Sequence, residues 1–304
     1  EELDFVARNE FDFTIKEVAE GREFSSIAGL SYRTSDGRIV HNADRAMLHN
    51  MDELPFVSPV YQRDLTIENY FIGYLRHPYL SFYTGRGCKS RCTFCLWPQT
   101  VGGHRYRTRS VGHVIEELKW AMKAFPQVKE VFFDDDTLTD DLPRVEELAR
   151  EIGKLGIVWA CNAKGNVPRS TLKIMRDNGL RLFVVGYETG NQQILHNIKK
   201  GMLIDVAKRF TKDCHELGIK IHGTFILGLP GESRVQIAPL NYPHLSHTEI
   251  FSSVEDFYKR FYFRAPKIAA IVGEMVRSPQ MMKRRLREGV EFFQFLRERR
   301  EAAL

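Results

Sequence analysis

The sequence predicts an α/β fold built on a parallel sheet, and three observations carry that prediction. Apolar runs of strand length alternate with amphipathic runs of helix length from residue 79 to residue 232. Strand runs such as LFVVG and FILG are apolar almost throughout, which suits strands covered on both faces. Thiol-bearing and acidic residues gather where those runs end, the place where α/β proteins put their ligands. Strands alternating with helices imply right-handed βαβ units.

The N-terminal stretch 1–20 reads as a short strand, with Leu3, Phe5 and Val6 apolar, followed by a helix near Thr14 to Ala19. Two such elements cannot bury each other's apolar faces, so residues 1–24 are expected to be the tail of a larger α/β domain. Residues 27–40 read as a hairpin, with Asp36-Gly37 supplying the positive φ angles of its turn. Pro55 and Pro59 make 52–65 an extended linker, and 25–74 is assigned to hairpin and linker. The run YLSFYTGRG (79–87) is the first core strand.

Ser110 caps a helix to about Phe125, with Val114, Leu118 and Ala121 on its apolar face. EVFFDDD (130–136) is a strand, and 142–156 is a helix striped by Leu142, Val145, Leu148 and Ile152 and stopped by Gly156. IVWACNAK (157–164) is the third strand; Pro168 opens a helix that Gly179 closes. RLFVVGYETG (181–190) is the fourth strand, QILHNIKKG and IDVAKRFTKDCHELG give the next helical stretch, and KIHGTFILGLPGE (220–232) is the fifth strand and its loop. RVQIAPL then follows at once with strand character. A parallel crossover needs about a dozen residues, so a helix and a sixth strand are expected to be missing between about 232 and 235; the alternative is a tight antiparallel return. The core is assigned to 75–240 and a helical region to 241–304, with a break at Pro266 and a basic amphipathic last helix over 278–304.

The chemistry centres on Cys88, Cys92 and Cys95, at spacing C-x3-C-x2-C. Five cysteines in 304 residues, no signal peptide and no apolar run near eighteen residues point to a reducing, cytoplasmic setting and against a disulfide framework. Structural zinc wants four ligands, and only His104 offers itself as a fourth. An iron–sulfur cluster usually takes four thiolates; three leave one iron open, as a catalytic site requires. The composition, 43% hydrophobic and 27% charged, is that of a globular protein. A net charge of +5 assigns no nucleic-acid partner by itself.

With Phe94 before the last cysteine, this motif resembles the radical S-adenosylmethionine (SAM) enzymes. The resemblance implies a partial (βα)6 TIM-type barrel with a [4Fe-4S] cluster on Cys88, Cys92 and Cys95. SAM would be chelated by the open iron and cleaved to a 5′-deoxyadenosyl radical. The segment carrying Asp134, Asp135 and Asp136 matches the family's G-G-E region, where a carboxylate meets the SAM ammonium; strand alternation turns Asp134 and Asp136 the same way. Gly186-Tyr187-Glu188-Thr189-Gly190 resembles the family's G-x-E-x-G segment, with Glu188 and Gly190 at the SAM ribose and methionine carboxylate. Ile226 and Gly228 resemble the segment packing on adenine. Asn162, Lys164, Tyr187 and His222 are candidates for the substrate cavity. Cys161 and Cys214 are expected to be packing thiols. Arg105, Tyr106, Arg107 and Arg109 would bind phosphate or carboxylate, or simply be surface charge.

The N-terminal form resembles the class with a cobalamin-binding domain, implying cobalamin in the intact protein, although no D-x-H-x-x-G motif occurs within residues 1–24. Segments such as GYETGNQQILHNIKKGM resemble the radical SAM proteins of hopanoid biosynthesis. That implies formation of the cyclitol ether of bacteriohopanetetrol from its glucosamine-bearing precursor, a flavodoxin or ferredoxin as electron donor, and peripheral membrane contact through the basic last helix. Cobalamin-dependent radical methylation and a non-catalytic iron–sulfur protein are the alternatives; a nucleic-acid partner is not expected.

Overall fold

The computed structural model describes residues 3–100, 102–226, 229–231 and 264–277, with 281–283, 285–287, 289, 290 and 294. The chain divides into two compact units, Glu1–Phe225 and Ile226–Leu304.

The first unit opens with a three-stranded antiparallel sheet. Strand β1 (Phe5–Ala7) pairs with β2 (Leu30–Arg33), which pairs with β3 (Ile39–His41). The β2–β3 turn places Gly37 at φ 85°, a left-handed conformation that glycine adopts without strain. Helix α1 (Asp12–Ala19) lies between β1 and β2 in the chain. The boundary expected at residue 24 is therefore crossed by strand pairing: β1 has found its partner in the hairpin, and Phe24 meets Phe5 and Tyr32 edge-on.

The stretch expected to be an extended linker contains helix α2 (Ser58–Asp64) instead. Pro59 occupies its first turn, where the missing N–H costs no hydrogen bond. The helix start is capped from outside. Glu117, 1% exposed, accepts from the Val57 and Ser58 amides at 2.7 and 3.0 Å and from the Ser58 hydroxyl at 2.9 Å.

The core is a five-stranded parallel sheet among the described residues. Its strands are β4 (Tyr79–Phe82), β7 (Glu130–Phe133), β8 (Trp159–Ala163), β9 (Leu180–Glu188) and β10 (Lys220–Phe225), neighbours in that order. Helices α4 (Val111–Ala124), α5 (Leu142–Lys154), α6 (Arg169–Asp177), α7 (Gln192–Asn197) and α8 (Ile204–Glu216) connect or follow them. Ser110, Asp141 and Asn191 cap α4, α5 and α7 with side-chain oxygens. The helical stretch after β9 is two helices, parted where Lys199 and Gly201 take φ 53° and 67°.

The outer face of the sheet buries Phe82, Phe133, Trp159 and Phe183 against Leu118, Leu148, Leu172 and Phe210. The inner face carries a smaller cluster of Leu75, Phe132, Ala160 and Leu182. At the amino-terminal end, Glu130 accepts from Arg181 Nε and Nη2 at 2.6 and 2.7 Å and from the Arg76 amide at 2.6 Å. Arg181 also donates to the Tyr74 carbonyl at 2.8 Å. This ties segment 72–76 across one end of the strands and leaves the carboxyl end open for chemistry.

Among the described residues of the second unit, helix α9 (Ala265–Arg277) begins just before Pro266. The expected break between 232 and 235, the sixth strand and the stretch 252–263 lie outside the described residues; described positions from 281 to 294 are helical.

Candidate functional site

The cysteines lie on an excursion between two short strands, β5 (Gly85–Arg86) and β6 (Arg107–Thr108), which pair antiparallel. A short helix, α3 (Trp97–Thr100), follows the last cysteine. Gly87 makes the bend into the loop at φ 95°, and a Cβ there would lie 2.3 Å from the Arg105 carbonyl oxygen and 2.6 Å from that of Gly102. The Cys88 amide donates to the Gly103 carbonyl at 3.2 Å, the Cys95 amide to Cys92 at 3.2 Å, and the Thr93 amide to Ile198, just past α7, at 3.0 Å.

All three cysteines are partly exposed and face one cavity of about 240 Å³. Burial pushes the Cys92 and Cys95 thiols up; Lys200 pulls Cys92 back, and Cys95 is eased by the Trp97 amide and by Lys200. The donor set suits a cubane cluster. Each thiolate of a [4Fe-4S] cube binds a different iron, so the sulfurs must ring a space rather than meet at a point. The three cysteines line one cavity, and among the described residues no three His, Cys, Asp or Glu side chains are grouped to hold a single ion. His104, the fourth ligand a zinc site would need, keeps its Nδ1 at 2.9 Å from the Ser90 carbonyl oxygen.

Phe94, Asp136, Asn162, Lys164 and Glu188 also line this cavity. A second cavity of about 370 Å³ adjoins it, sharing Trp97, Asp136 and Asn162 and adding Phe11, Tyr83 and Asp134. Asp134 and Asp136 face these spaces because they sit two apart beyond β7. Burial raises both carboxyls; hydrogen bonds from Asn162 and from the Gly87 amide work against that on Asp134 and Asp136 respectively. Asn162 Nδ2 donates to Asp134 Oδ1 at 3.0 Å and to the Asp135 carbonyl at 3.1 Å. The Tyr83 hydroxyl is pushed up to about 12 by burial and by the neighbouring carboxylates, Asp134 first among them.

Asp135 corrects the cofactor-binding expectation. It is fully buried, accepting from the Thr84 amide at 2.6 Å, the Thr84 hydroxyl at 2.7 Å and the Tyr106 hydroxyl at 2.7 Å. It braces the strand end from behind and is not presented to a ligand.

Tyr187 is a second correction. Gly186 and Glu188 line the cavity, so alternation turns Tyr187 to the helix face, where its hydroxyl lies 2.6 Å from Thr211 Oγ1 and its ring stacks on Phe225. His222 lies on the inner face but stacks on Tyr74 at 4.3 Å instead of lining either cavity; burial lowers its pKa. Gly190 is exposed and Ile226 half-buried, and neither lines the cavities; Gly228 lies outside the described residues. Arg107 and Arg109 are buried in ion pairs with Glu10 at 2.9 Å and Glu117 at 2.6 Å, which leaves them no surface role. Cys161 and Cys214 are fully buried.

Sequence reasoning missed Lys200, Asp140 and Trp97. Asp140 Oδ1 holds Lys164 Nζ at 2.6 Å while its Oδ2 accepts from the Lys89 amide at 3.0 Å, linking the cysteine loop to the end of β8. Lys200 pairs with Glu188 at 2.6 Å inside the thiol cavity. Its only sequence signal is the Lys-Lys-Gly that ends the helical run after β9.

A profile of the Radical SAM superfamily matches residues 82–240. The uncharacterized methyltransferase PH0819 of Pyrococcus horikoshii is 31% identical over 242 residues, covering 77% of this chain and 51% of that protein. Cytidylyl-2-hydroxyethylphosphonate methyltransferase of Streptomyces wedmorensis is 30% identical over 196 residues, covering 61% and 36%. The chain thus spans about half or less of the length of these relatives. Among solved structures, the cobalamin-dependent radical SAM enzyme OxsB with aqua-cobalamin bound aligns at TM-score 0.60 and 18% identity, covering 83% of this chain and 36% of that one. The radical SAM methyltransferase TsrM from Kitasatospora setae, with tryptophan and a SAM analogue bound, aligns at 0.59 and 18%, covering 84% and 49%. At that identity the likeness is one of fold.

Proposed function

The chain belongs to the radical SAM superfamily, and from that premise we propose that it is the catalytic core of a cobalamin-dependent radical SAM methyltransferase. Membership implies a [4Fe-4S] cluster and SAM. The observation that carries radical generation by this chain is the cavity itself. Three partly exposed thiols, Asp136 and the Glu188–Lys200 pair face one space at the carboxyl ends of parallel strands, and a second chamber adjoins it.

When bound, the cluster and SAM supply a 5′-deoxyadenosyl radical. The chain's residues do the rest. Cys88, Cys92 and Cys95 hold the iron. Asp134 and Asp136 offer carboxylates to the SAM ammonium, a charge-assisted contact, with Asn162 fixing the rotamer of Asp134. Tyr83, Trp97 and Phe11 give the second chamber aromatic walls for an organic substrate.

Methyl transfer and cobalamin are supported by the descriptions of the relatives and neighbours named above. The narrower reading, cyclitol ether formation on a hopanoid lipid, has its support in the resembling sequence segments alone. A flavodoxin or ferredoxin donor, and membrane contact through 281–304, are part of the same proposal; among the described residues no helix is long and apolar enough to cross a membrane.

Anaerobic reconstitution with SAM and a reductant tests the core of the reading. The expected product is 5′-deoxyadenosine, and its absence from iron-loaded protein refutes radical generation. Product mass then separates the two readings, since methylation adds one methyl group and ring contraction adds none.

A further inference from the structure

Lys200 enters the thiol cavity just past a helix whose end is tied to the cysteine loop through the Thr93 amide and the Ile198 carbonyl. Its neighbours Lys199 and Gly201 are both left-handed, and its side chain is 13% exposed. The ammonium lies 2.6 Å from Glu188 Oε1. Glu188 is held at φ 61°, a conformation a non-glycine residue keeps only where its surroundings impose it. Gly186 completes the arrangement: a Cβ there would lie 2.3 Å from Glu188 Oε1 and 3.0 Å from Lys200 Nζ. Strained backbone and an omitted side chain thus set one nearly dry ammonium beside the cysteines.

We propose that Lys200 is the cation that sets the reduction potential of the thiolate-held cluster, with Glu188 fixing its place and partly cancelling its charge. The inference rests on the cluster-bearing reading above. In the step concerned, one electron passes from an external one-electron donor to the cluster, and no bond changes. The added negative charge lies in the cavity that the mostly buried Lys200–Glu188 pair lines, where a fixed cation favours the reduced form and a carboxylate opposes it. Lys200 and Glu188 therefore push the potential in opposite directions, which a merely structural role for either would not produce.

The test is a potentiometric titration of the anaerobically reconstituted full chain without SAM, read by the EPR signal of the reduced cluster. Lys200→Met is expected to shift the reduced-to-oxidised ratio at fixed potential about tenfold toward oxidised, which is about 59 mV for one electron. Lys200→Arg should stay near wild type, and Glu188→Gln should shift the ratio toward reduced. Coincident curves for Lys200→Met and wild type overturn the proposal, as does a Glu188→Gln shift in the same direction as Lys200→Met. Glu188→Gln decides alone if Lys200→Met loses its iron. Wild-type protein that assembles no EPR-active cluster overturns the cluster reading itself, and does so before any variant is compared.

Discussion

Arg86 and Asp12 face each other in a bidentate ion pair, Nη1 to Oδ2 at 2.6 Å and Nη2 to Oδ1 at 3.0 Å. Arg86 stands two residues before Cys88, and Asp12 opens α1. Glu10 extends the contact, accepting from Arg86 at 3.0 Å and from Arg107 at 2.9 Å. The N-terminal sheet is thereby fastened to both strands of the ribbon that carries the cysteine loop.

Arg107→Met should be destabilising. Arg107 and Glu10 are 4% and 6% exposed, and the variant takes from the buried Glu10 one of its two cations, leaving it Arg86 at 3.0 Å, at a cost of about 1.5–3 kcal/mol for the lost charged hydrogen bonds. Urea unfolding of the variant and wild type measures it. Glu10→Gln in the same background should recover part of the loss, because a neutral amide needs less compensation than a buried carboxylate with one cation removed, and Arg86 keeps Asp12.

Gly87→Ala should fold its barrel yet lose iron. The new methyl would meet two backbone carbonyls at under 3 Å from a left-handed φ, and neither carbonyl can move without opening the loop. Iron per chain after reconstitution should fall several-fold, while far-ultraviolet circular dichroism stays close to wild type.

Asp135 and Asp136 should part company on mutation. Asp135→Ala strands the Thr84 amide and the Tyr106 hydroxyl in a dry site, costing about 1–3 kcal/mol for each unmet group. Asp136→Asn keeps its shape and should leave melting within a few degrees of wild type while weakening SAM binding about tenfold, read by calorimetry on cluster-loaded protein.

Asp134 gives a pH signature with a definite sign. Burial, partly offset by the Asn162 hydrogen bond, holds its carboxyl above the ordinary value of 3.8. A carboxyl raised on folding binds its proton more tightly in the folded chain, so its contribution to stability is full below the ordinary value and fades as pH climbs through the raised one. Asp134→Asn cannot titrate. Its stability relative to wild type should therefore rise with pH from about 3.8 upward and level off once the carboxyl is ionised, measured by chemical denaturation across that range.

The parallel sheet was legible because its strands are buried on both faces, and runs such as LFVVG leave no second interpretation. The cysteine trio was legible because its spacing carries its chemistry. Residues 52–65 misled because a proline at a helix's first turn looks, in sequence, like a proline that breaks one. Glu117 was hidden among the solvated residues of an amphipathic helix, since nothing local reveals that a carboxylate 59 residues downstream caps Ser58. Alternation alone separates Asp134 and Asp136 from Asp135, and the same rule turns Tyr187 away from the cavity side held by its neighbours Gly186 and Glu188. Lys200 could not be found by pattern, because its place depends on a strained Glu188 across the fold.

The two-residue ribbon of β5 and β6 joins the cysteine loop at its neck. The excursion is thus a noose already drawn shut on protein hydrogen bonds, and iron need only stiffen what lies within it. The bonds that close this neck run between protein groups alone, so β5 and β6 are expected to stay paired whether or not the loop holds iron.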